Sequence, residues 1–396
     1  MKVLFLSFYF EPDLCAGSFR NTSLLESLNS KIKSSDTIDV ITTHPNRYDS
    51  YQVKSIDFEQ RGENITINRV SVPNHKSGIL GQIKLFKIFY FEALKIAKKE
   101  KYDLVYASSS RLFTAFLGAR LASKNKAKLY LDIRDIFRET ITDLFKTNRF
   151  VFLFLNLIIS FVEKYTFSKA NAVNLVSPGF EDYFRENNYA VNADFYFNTN
   201  GIDDLFLNNN QNEVLTVKNK KTRIVYAGNI GSSQALDQTL PFVANQLTDA
   251  YEFHIYGDGG RKDLLISKIK DNNSKNIFFH KPVARHELVK IYNNSDILFF
   301  QLSNEDAFLR VIPSKLFEYS TFNKPILAVV DGYCKMFIKT NLEGCFVAKP
   351  NDIKDIVENI LKINKNKLYN RKSFITEFSR KKINNKLTLS ILKYLK

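Results

Sequence analysis

The chain has no tryptophan, two methionines and three cysteines among 396 residues. Cys15, Cys334 and Cys345 are odd in number, far apart and without C-x-x-C spacing. That excludes a disulfide framework and a thiolate zinc site, and fits a reducing compartment. Nine Pro and fourteen Gly are too few for a collagen-like or linker-like chain. Long apolar runs are missing too: the longest, Phe150 to Val162, contains Asn156 and Ser160 and falls short of the about 20 residues that span a bilayer. The five His, at 44, 75, 254, 280 and 286, form neither H-E-x-x-H nor an i, i+4 pair, so no metal is expected. No G-x-G-x-x-G, G-x-x-x-x-G-K-[ST] or G-x-S-x-G occurs, which disfavours nicotinamide dinucleotides, P-loop chemistry and the serine hydrolase elbow.

Acids are scarce relative to bases. There are 41 Asp plus Glu against 57 Lys plus Arg, a formal charge of +16 that biases the chain towards anionic partners. With 44% hydrophobic residues there is apolar material for two cores of roughly 150 to 200 residues each. The apolar run from Val3 to Phe10 is followed by Glu11-Pro12-Asp13 rather than by a small-residue cleavage site, and reads as a first strand, not a leader.

Short β-branched or aromatic runs alternate with longer amphipathic ones, which predicts a parallel α/β architecture. Strands are expected at Val3 to Phe10, Ile38 to His44, Ile65 to Val72, Asp103 to Ala107, Lys128 to Asp132, Ala172 to Ser177 and Asp194 to Asn198. The pattern restarts at Arg223 to Ala227, then Tyr251 to Tyr256, Asn276 to His280, Asp296 to Gln301, Pro325 to Val330 and Cys345 to Ala348. Between the two series, Leu207 to Lys221 is polar and aperiodic. The expected organisation is therefore a domain over 1–205, a second over 222–371 and one terminal helix over 372–396.

In open α/β sheets ligands bind beyond the carboxyl ends of strands. Gly17 in the first such loop lets amides at a helix start approach an anion, or simply permits tight packing. Leu131-Asp132-Ile133-Arg134-Asp135 sets charges at a strand end, facing a solvent-filled cleft or forming an ion pair that braces a loop. Gly228-Asn229-Ile230-Gly231 and Gly257-Asp258-Gly259-Gly260 are turns expected to leave amides free for a phosphate or base, with Arg261 as a charge partner. The densest constellation is Pro313-Ser314-Lys315-Leu316-Phe317-Glu318. Pro313 suits a first helical turn, so the amides that follow face an anion, expected to be a diphosphate. Glu318, four residues after Ser314, then either grips the vicinal hydroxyls of a ribose or compensates the helix dipole.

P-S-K-x-F-E followed by Asn323-Lys324-Pro325, within two Rossmann-like halves, resembles the family 4 retaining glycosyltransferases of the GT-B fold. Phe8 to Arg20, Arg134-Asp135 and Ala227 to Gly231 with Gln234 look like the branch that builds bacterial O-antigen and capsule polysaccharides. The resemblance implies two domains facing a central cleft, with the terminal helix crossing back to the first. It implies metal-independent hexosyl transfer from a nucleotide-diphosphate sugar, UDP-linked, to a polyprenyl-diphosphate-linked saccharide at the cytoplasmic face of the plasma membrane. Carried over, Pro282 and Val283 bracket the base, Ser314 to Leu316 hold the diphosphate, Glu318 binds the ribose and Gly17 reaches the phosphates from the other domain. Arg134 and Asp135 face the reaction centre.

Two positions depart from the family pattern. Arg310 stands where an E-x7-E pattern has its first Glu, and Asn229 and Gln234 stand near where an Arg and Lys pair is common. Lys315, Arg261 or Arg310 must then supply positive charge to the leaving diphosphate. Rival readings are a nucleotide-sugar 2-epimerase on the same scaffold and a non-catalytic binder of anionic membrane or nucleic acid. No RRM, KH or zinc-finger pattern supports nucleic acid. Lys76, Lys84, Lys87, Lys95, Lys98, Lys99 and Lys101 surround apolar Leu80 to Phe91, which suits either an interfacial helix on anionic lipid or a helix lying on the first sheet. Arg149 and the apolar run Phe150 to Val162 offer a second such lipid contact, but the run is expected instead to pack on that sheet and show lysines to water.

Overall fold

The structure, a computed structural model, describes residues 1–46, 53–73, 79–109, 112–138, 149–207, 221–248 and 250–395. The chain divides into two compact units, Met1–Gly201 with Lys381–Lys396, and Ile202–Arg380. The expected linker over 207–221 lies almost wholly outside the described residues. The change of unit falls instead at Gly201 and Ile202.

The first unit holds β1 (Lys2–Ser7), β2 (Thr37–Thr43), β3 (Phe58–Arg61), β4 (Ile65–Val70), β5 (Leu104–Ser109), β6 (Lys128–Ile133), β7 (Ala172–Leu175) and β8 (Asp194–Tyr196). They form one sheet in the order β3-β4-β2-β1-β5-β6-β7-β8, parallel except for the β3–β4 pair. β1 lies between β2 and β5, with Phe5 opposite Val40 and Tyr106. Its residues Val3 to Leu6 are buried on both faces, which is why the run reads as continuously apolar. β3 has no such signature: FEQR is a half-exposed edge strand and the sequence pattern missed it.

Helix Ala16–Asn29 and helix Arg380–Leu392 pack against the same sheet core, Leu24 and Leu28 alongside Leu387 and Ile391. Their polar contacts run in step, Asn384 donating to Ser23 Oγ at 2.7 Å and Thr388 to Ser27 Oγ at 2.8 Å, as i, i+4 spacing on both helices requires. The terminal segment is not the single helix expected over 372–396. Helix Lys372–Glu377 stops before Arg380, because Ile202 N–H donates to Phe378 O and Arg380 N–H to Ile202 O, an extended bridge incompatible with helix.

Helix Ile79–Ala97 turns Leu85, Phe89, Ala93 and Ala97 inward at four-residue spacing and keeps Lys84, Lys87 and Lys95 exposed. Lys76 lies outside the described residues. Helix Arg149–Ser168 buries Ile159, Val162, Glu163 and Thr166. Its other face departs from expectation: it is apolar and exposed, with Phe154 at 64%, Leu157 at 70% and Phe161 at 72%.

The second unit holds β9 (Thr222–Ala227), β10 (Tyr251–Tyr256), β11 (Ile277–His280), β12 (Ile297–Gln301), β13 (Ile326–Val329) and β14 (Cys345–Ala348). Their order is β11-β10-β9-β12-β13-β14 and the pairs are parallel. Period-2 alternation splits each central strand between two cores. Ile224, Tyr226, Ile297 and Phe299 face helices Leu236–Gln246 and Ile353–Lys362. Val225, Ala227, Leu298 and Phe300 face Leu316, Phe317 and Tyr319 of helix Ser314–Tyr319. That second core fixes the helix at the carboxyl end of the sheet.

Candidate functional site

Gly228 follows β9, Gly257 follows β10, and each turn holds the other. Gly228 N–H donates to Tyr256 O at 2.8 Å, Ile230 N–H to Asp258 O at 2.8 Å and Arg261 N–H to Ile230 O at 2.9 Å. Gly231 N–H donates to Gln234 Oε1 at 3.3 Å, and the Asn229 amide to the same oxygen at 3.0 Å. The expectation of free amides is therefore corrected for Gly228, Ile230 and Gly231: the first and second continue the β9–β10 pairing past the strand ends, and the third is taken by Gln234. Asn229 and Gln234 brace the loop.

The glycines instead make room. Gly228 has φ +149°, and a Cβ there would lie 2.2 Å from Lys315 Nζ. A Cβ on Gly257 would lie 1.9 Å from Gly228 O. The Lys315 ammonium thus rests against the first turn and sits 5.2 Å from the centre of the Tyr226 ring, a cation–π contact. Burial lowers the Lys315 pKa, and the charge of Glu318 only partly restores it.

Pro313 stands just before helix Ser314–Tyr319, extended at φ −72° and ψ 145°, rather than inside its first turn. The helix is only six residues long, so the local charge comes mainly from the Lys315 side chain. Leu316 is corrected as a diphosphate contact: its side chain is fully buried in the core and its N–H donates to Pro313 O at 3.1 Å. Ser314 is half-buried ahead of it. Glu318, one turn deeper, has a side chain 22% exposed and 4.0 Å from Arg285 Nη2. Burial raises its pKa, opposed by the cations of Arg285 and Lys315.

Around Glu318 lies a charge cluster that sequence reading missed. Asp203 accepts from both Arg285 and Arg380, and Arg285 also lies 5.2 Å from the centre of the Phe206 ring. These residues come from three separate stretches of chain, so no local spacing announces them. The other expected donor contacts lie in the same unit. Arg261 is held by the buried Asp237 at 2.8 Å, so its charge is not free as expected. Arg310 caps the short helix Asp306–Leu309. Pro282 and Val283 form the stretch between β11 and helix Arg285–Asn293.

In the first unit, Asp132 is not in a solvent-filled cleft. It is fully buried and accepts from Arg20 Nε at 2.9 Å and Nη2 at 3.0 Å, from Asn174 at 2.7 Å and from Tyr106 at 3.1 Å. Arg20 also donates to Thr199 O at 2.6 Å and to Asn198 O at 2.9 Å. The ion pair at this strand end thus joins Asp132 to Arg20, not to Arg134. Arg134 Nε and Nη1 are buried without a hydrogen-bond partner among the described residues, and Nη1 lies where a Cβ on Gly17 would come within 2.7 Å. Gly17 begins helix Ala16–Asn29, whose N-cap offers no side-chain hydrogen bond. Asp135 is exposed beside Arg134.

Residues 208–382 match the family model described as Glycosyl transferases group 1. No curated protein matches the chain. Among solved structures it is similar to sucrose-phosphate synthase from Thermosynechococcus elongatus, with a TM-score of 0.69 and 12% identity over 99% of this chain and 94% of that one. It is also similar to the apo form of the lipopolysaccharide outer core galactosyltransferase WaaB, with a TM-score of 0.62 and 13% identity over 99% of both chains. For HepE of Anabaena in complex with UDP, the TM-score is 0.58 with 14% identity over 100% of this chain and 97% of that one. At such identities the likeness speaks for the fold, the two-domain α/β arrangement of GT-B enzymes with a parallel sheet in each domain. The group 1 match across nearly all of the second unit marks this enzyme as a glycosyltransferase, and the fold along the whole length agrees with it.

Proposed function

We propose that this glycosyltransferase moves a hexose from a UDP-sugar, with retention at the anomeric carbon, to a lipid-diphosphate-linked saccharide in bacterial O-antigen or capsule assembly. The reading includes a peripheral position on the anionic cytoplasmic face of the plasma membrane. The observation that carries it is the Lys315 ammonium laid against Gly228 with Glu318 one helical turn away. A half-buried ammonium whose own pKa is lowered gains most from a dianionic neighbour, and it meets charge as the diphosphate departs. Glu318 supplies two acceptor oxygens to a ribose diol. Ser314 adds its amide at the helix start, and Pro282 and Val283 bracket the base. Arg310 contacts the donor sugar in place of the usual acid.

In the first unit Arg134 Nε and Nη1, without a hydrogen-bond partner among the described residues and beside the helix start at Gly17, suit a phosphate. Arg134 and Asp135 serve the transfer step. The UDP in the HepE structure supports this choice of donor, and the lipopolysaccharide outer core galactosyltransferase among the similar folds supports a surface-saccharide setting. The test is incubation with UDP-hexoses and a polyprenyl-diphosphate saccharide, followed by NMR of the product. A new glycosidic bond with the donor's anomeric configuration is expected. Inversion, or turnover of donor to a sugar isomer without acceptor, removes the reading.

A further inference from the structure

Helix Arg149–Ser168 carries apolar residues on both of its faces, and only one is covered by the described residues. Ile159, Val162 and Thr166 point into the first unit, whereas Leu153, Phe154, Leu157, Ile158 and Phe161 are exposed at 48%, 64%, 70%, 42% and 72%. The outward positions recur at i, i+4 and i+8, so they form one stripe, roughly 12 Å long from 153 to 161 at the helical rise. An exposed stripe of this size marks a contact surface rather than scattered surface residues.

Charge identifies the partner. The helix's single acid, Glu163, is buried and accepts from Tyr183 OH at 2.7 Å, so no carboxylate faces outward. Lys164 and Lys169 are exposed just past Phe161. The neighbouring layer continues the pattern. Phe116 on helix Leu112–Asn125 meets Tyr165 at 5.5 Å and Tyr90 at 6.3 Å between ring centres, and helix Ile79–Ala97 beyond it exposes Phe91, Lys84 and Lys87. A second copy of a chain with formal charge +16 would set these cations against their own kind. An anionic bilayer satisfies both parts, aromatic and aliphatic side chains entering the acyl boundary while lysines meet phosphates. Among the described residues no helix is long and apolar enough to cross a membrane, so this one lies in the interface plane.

We infer that the outer face of helix Arg149–Ser168 docks the enzyme onto anionic lipid. The inference deepens the membrane part of the proposed function but stands on exposure and charge, not on sugar chemistry. The test is flotation of the full chain with phosphatidylcholine vesicles, with and without phosphatidylglycerol, while UDP affinity is measured separately. Wild type is expected to float with the anionic vesicles. Leu157→Gln with Phe161→Gln, both at exposed positions, lowers that partition by about tenfold or more, Lys164→Glu weakens only the anionic component, and Leu389→Gln on the opposite helix layer changes nothing. Partition of the double variant equal to wild type overturns the inference. So does a wild-type dimer that the double variant splits without any vesicle binding. Flotation without UDP binding leaves the docking face standing and removes the donor assignment; UDP binding without flotation does the reverse.

Discussion

Asp132 in the first unit and Glu318 in the second are both acids set among cations, yet their pKa values are moved in opposite directions. Burial pushes each upward. At Asp132 the Arg20 charge, its paired hydrogen bonds, Arg134 and the Asn174 amide outweigh burial and hold the acid below its ordinary value. At Glu318 they do not: Arg285 is bound to Asp203 and stops 4.0 Å short, so the acid stays above its ordinary value. The difference separates a closed network from an open one. Where every donor and acceptor is used the charges brace the fold, and where an acid and an ammonium are left with incomplete partners a ligand has something to complete.

The sharpest way to break this contrast is to remove one cation from each side. Arg20→Met strands a fully buried carboxylate, which should cost about 3–5 kcal/mol of stability in urea unfolding. Lys315→Met removes a half-buried ammonium without a contact ion pair among the described residues, so its melting temperature should be unchanged or higher. Its kcat should nevertheless fall by about 10²–10³, the cost of losing one preorganised charge at a leaving group. A Lys315→Met protein as unstable as Arg20→Met would place both in the same structural category.

Glu318→Ala should weaken UDP binding by about 1.5–3 kcal/mol in calorimetry, the worth of hydrogen bonds to a charged group. Unchanged affinity removes the ribose assignment. Smaller again is the coupling between Gly228 and Lys315. A Cβ at Gly228 forces the ammonium off the turn, so Gly228→Ala and Lys315→Met should be non-additive in kcat by about 0.5–3 kcal/mol. Additive losses would mean that the glycine serves only its own positive φ.

How much of this the sequence disclosed follows from how local each feature is. The thirteen expected strands correspond to observed ones, the central ones because a strand covered on both faces must be apolar throughout; β3, at an exposed edge, had no such obligation. The segment from Pro313 to Glu318 could be singled out because its spacing, with Glu318 four residues after Ser314, lies within one short helix. Arg20 and Asp132 are 112 residues apart, and the cluster of Asp203, Arg285 and Arg380 is assembled by the fold. Those pairings left no spacing to read, and charges that look suited to a cleft, as at Asp132, turned out to be buried braces. The outward face of helix Arg149–Ser168 was misjudged for a related reason: an all-apolar run announces burial, and only the structure tells which of its sides is covered.

Titration gives the comparison its finest test, because the two acids pull stability in opposite directions. Asp132 is depressed below 3.8, so its contribution is complete above that value and is lost as pH falls through the lower folded one. Glu318 is raised above 4.5, so the folded form takes up its proton first. Its ionisation therefore costs stability as pH rises through the folded pKa, and the cost is absent below 4.5. Glu318→Gln, with the proton-dependent charge removed, should be more resistant to urea than wild type at neutral pH, and the two should converge as pH approaches 4.5. Lys315 is present in both proteins and drops out of the difference to first order. UDP affinity should move the other way. An ionised acid accepts both ribose hydroxyls, so wild-type binding should weaken as the acid protonates, while that of Glu318→Gln stays flat over the same interval. A urea difference that ignores pH would show that Glu318 is as fully satisfied as Asp132, and the contrast between an open and a closed network would be lost.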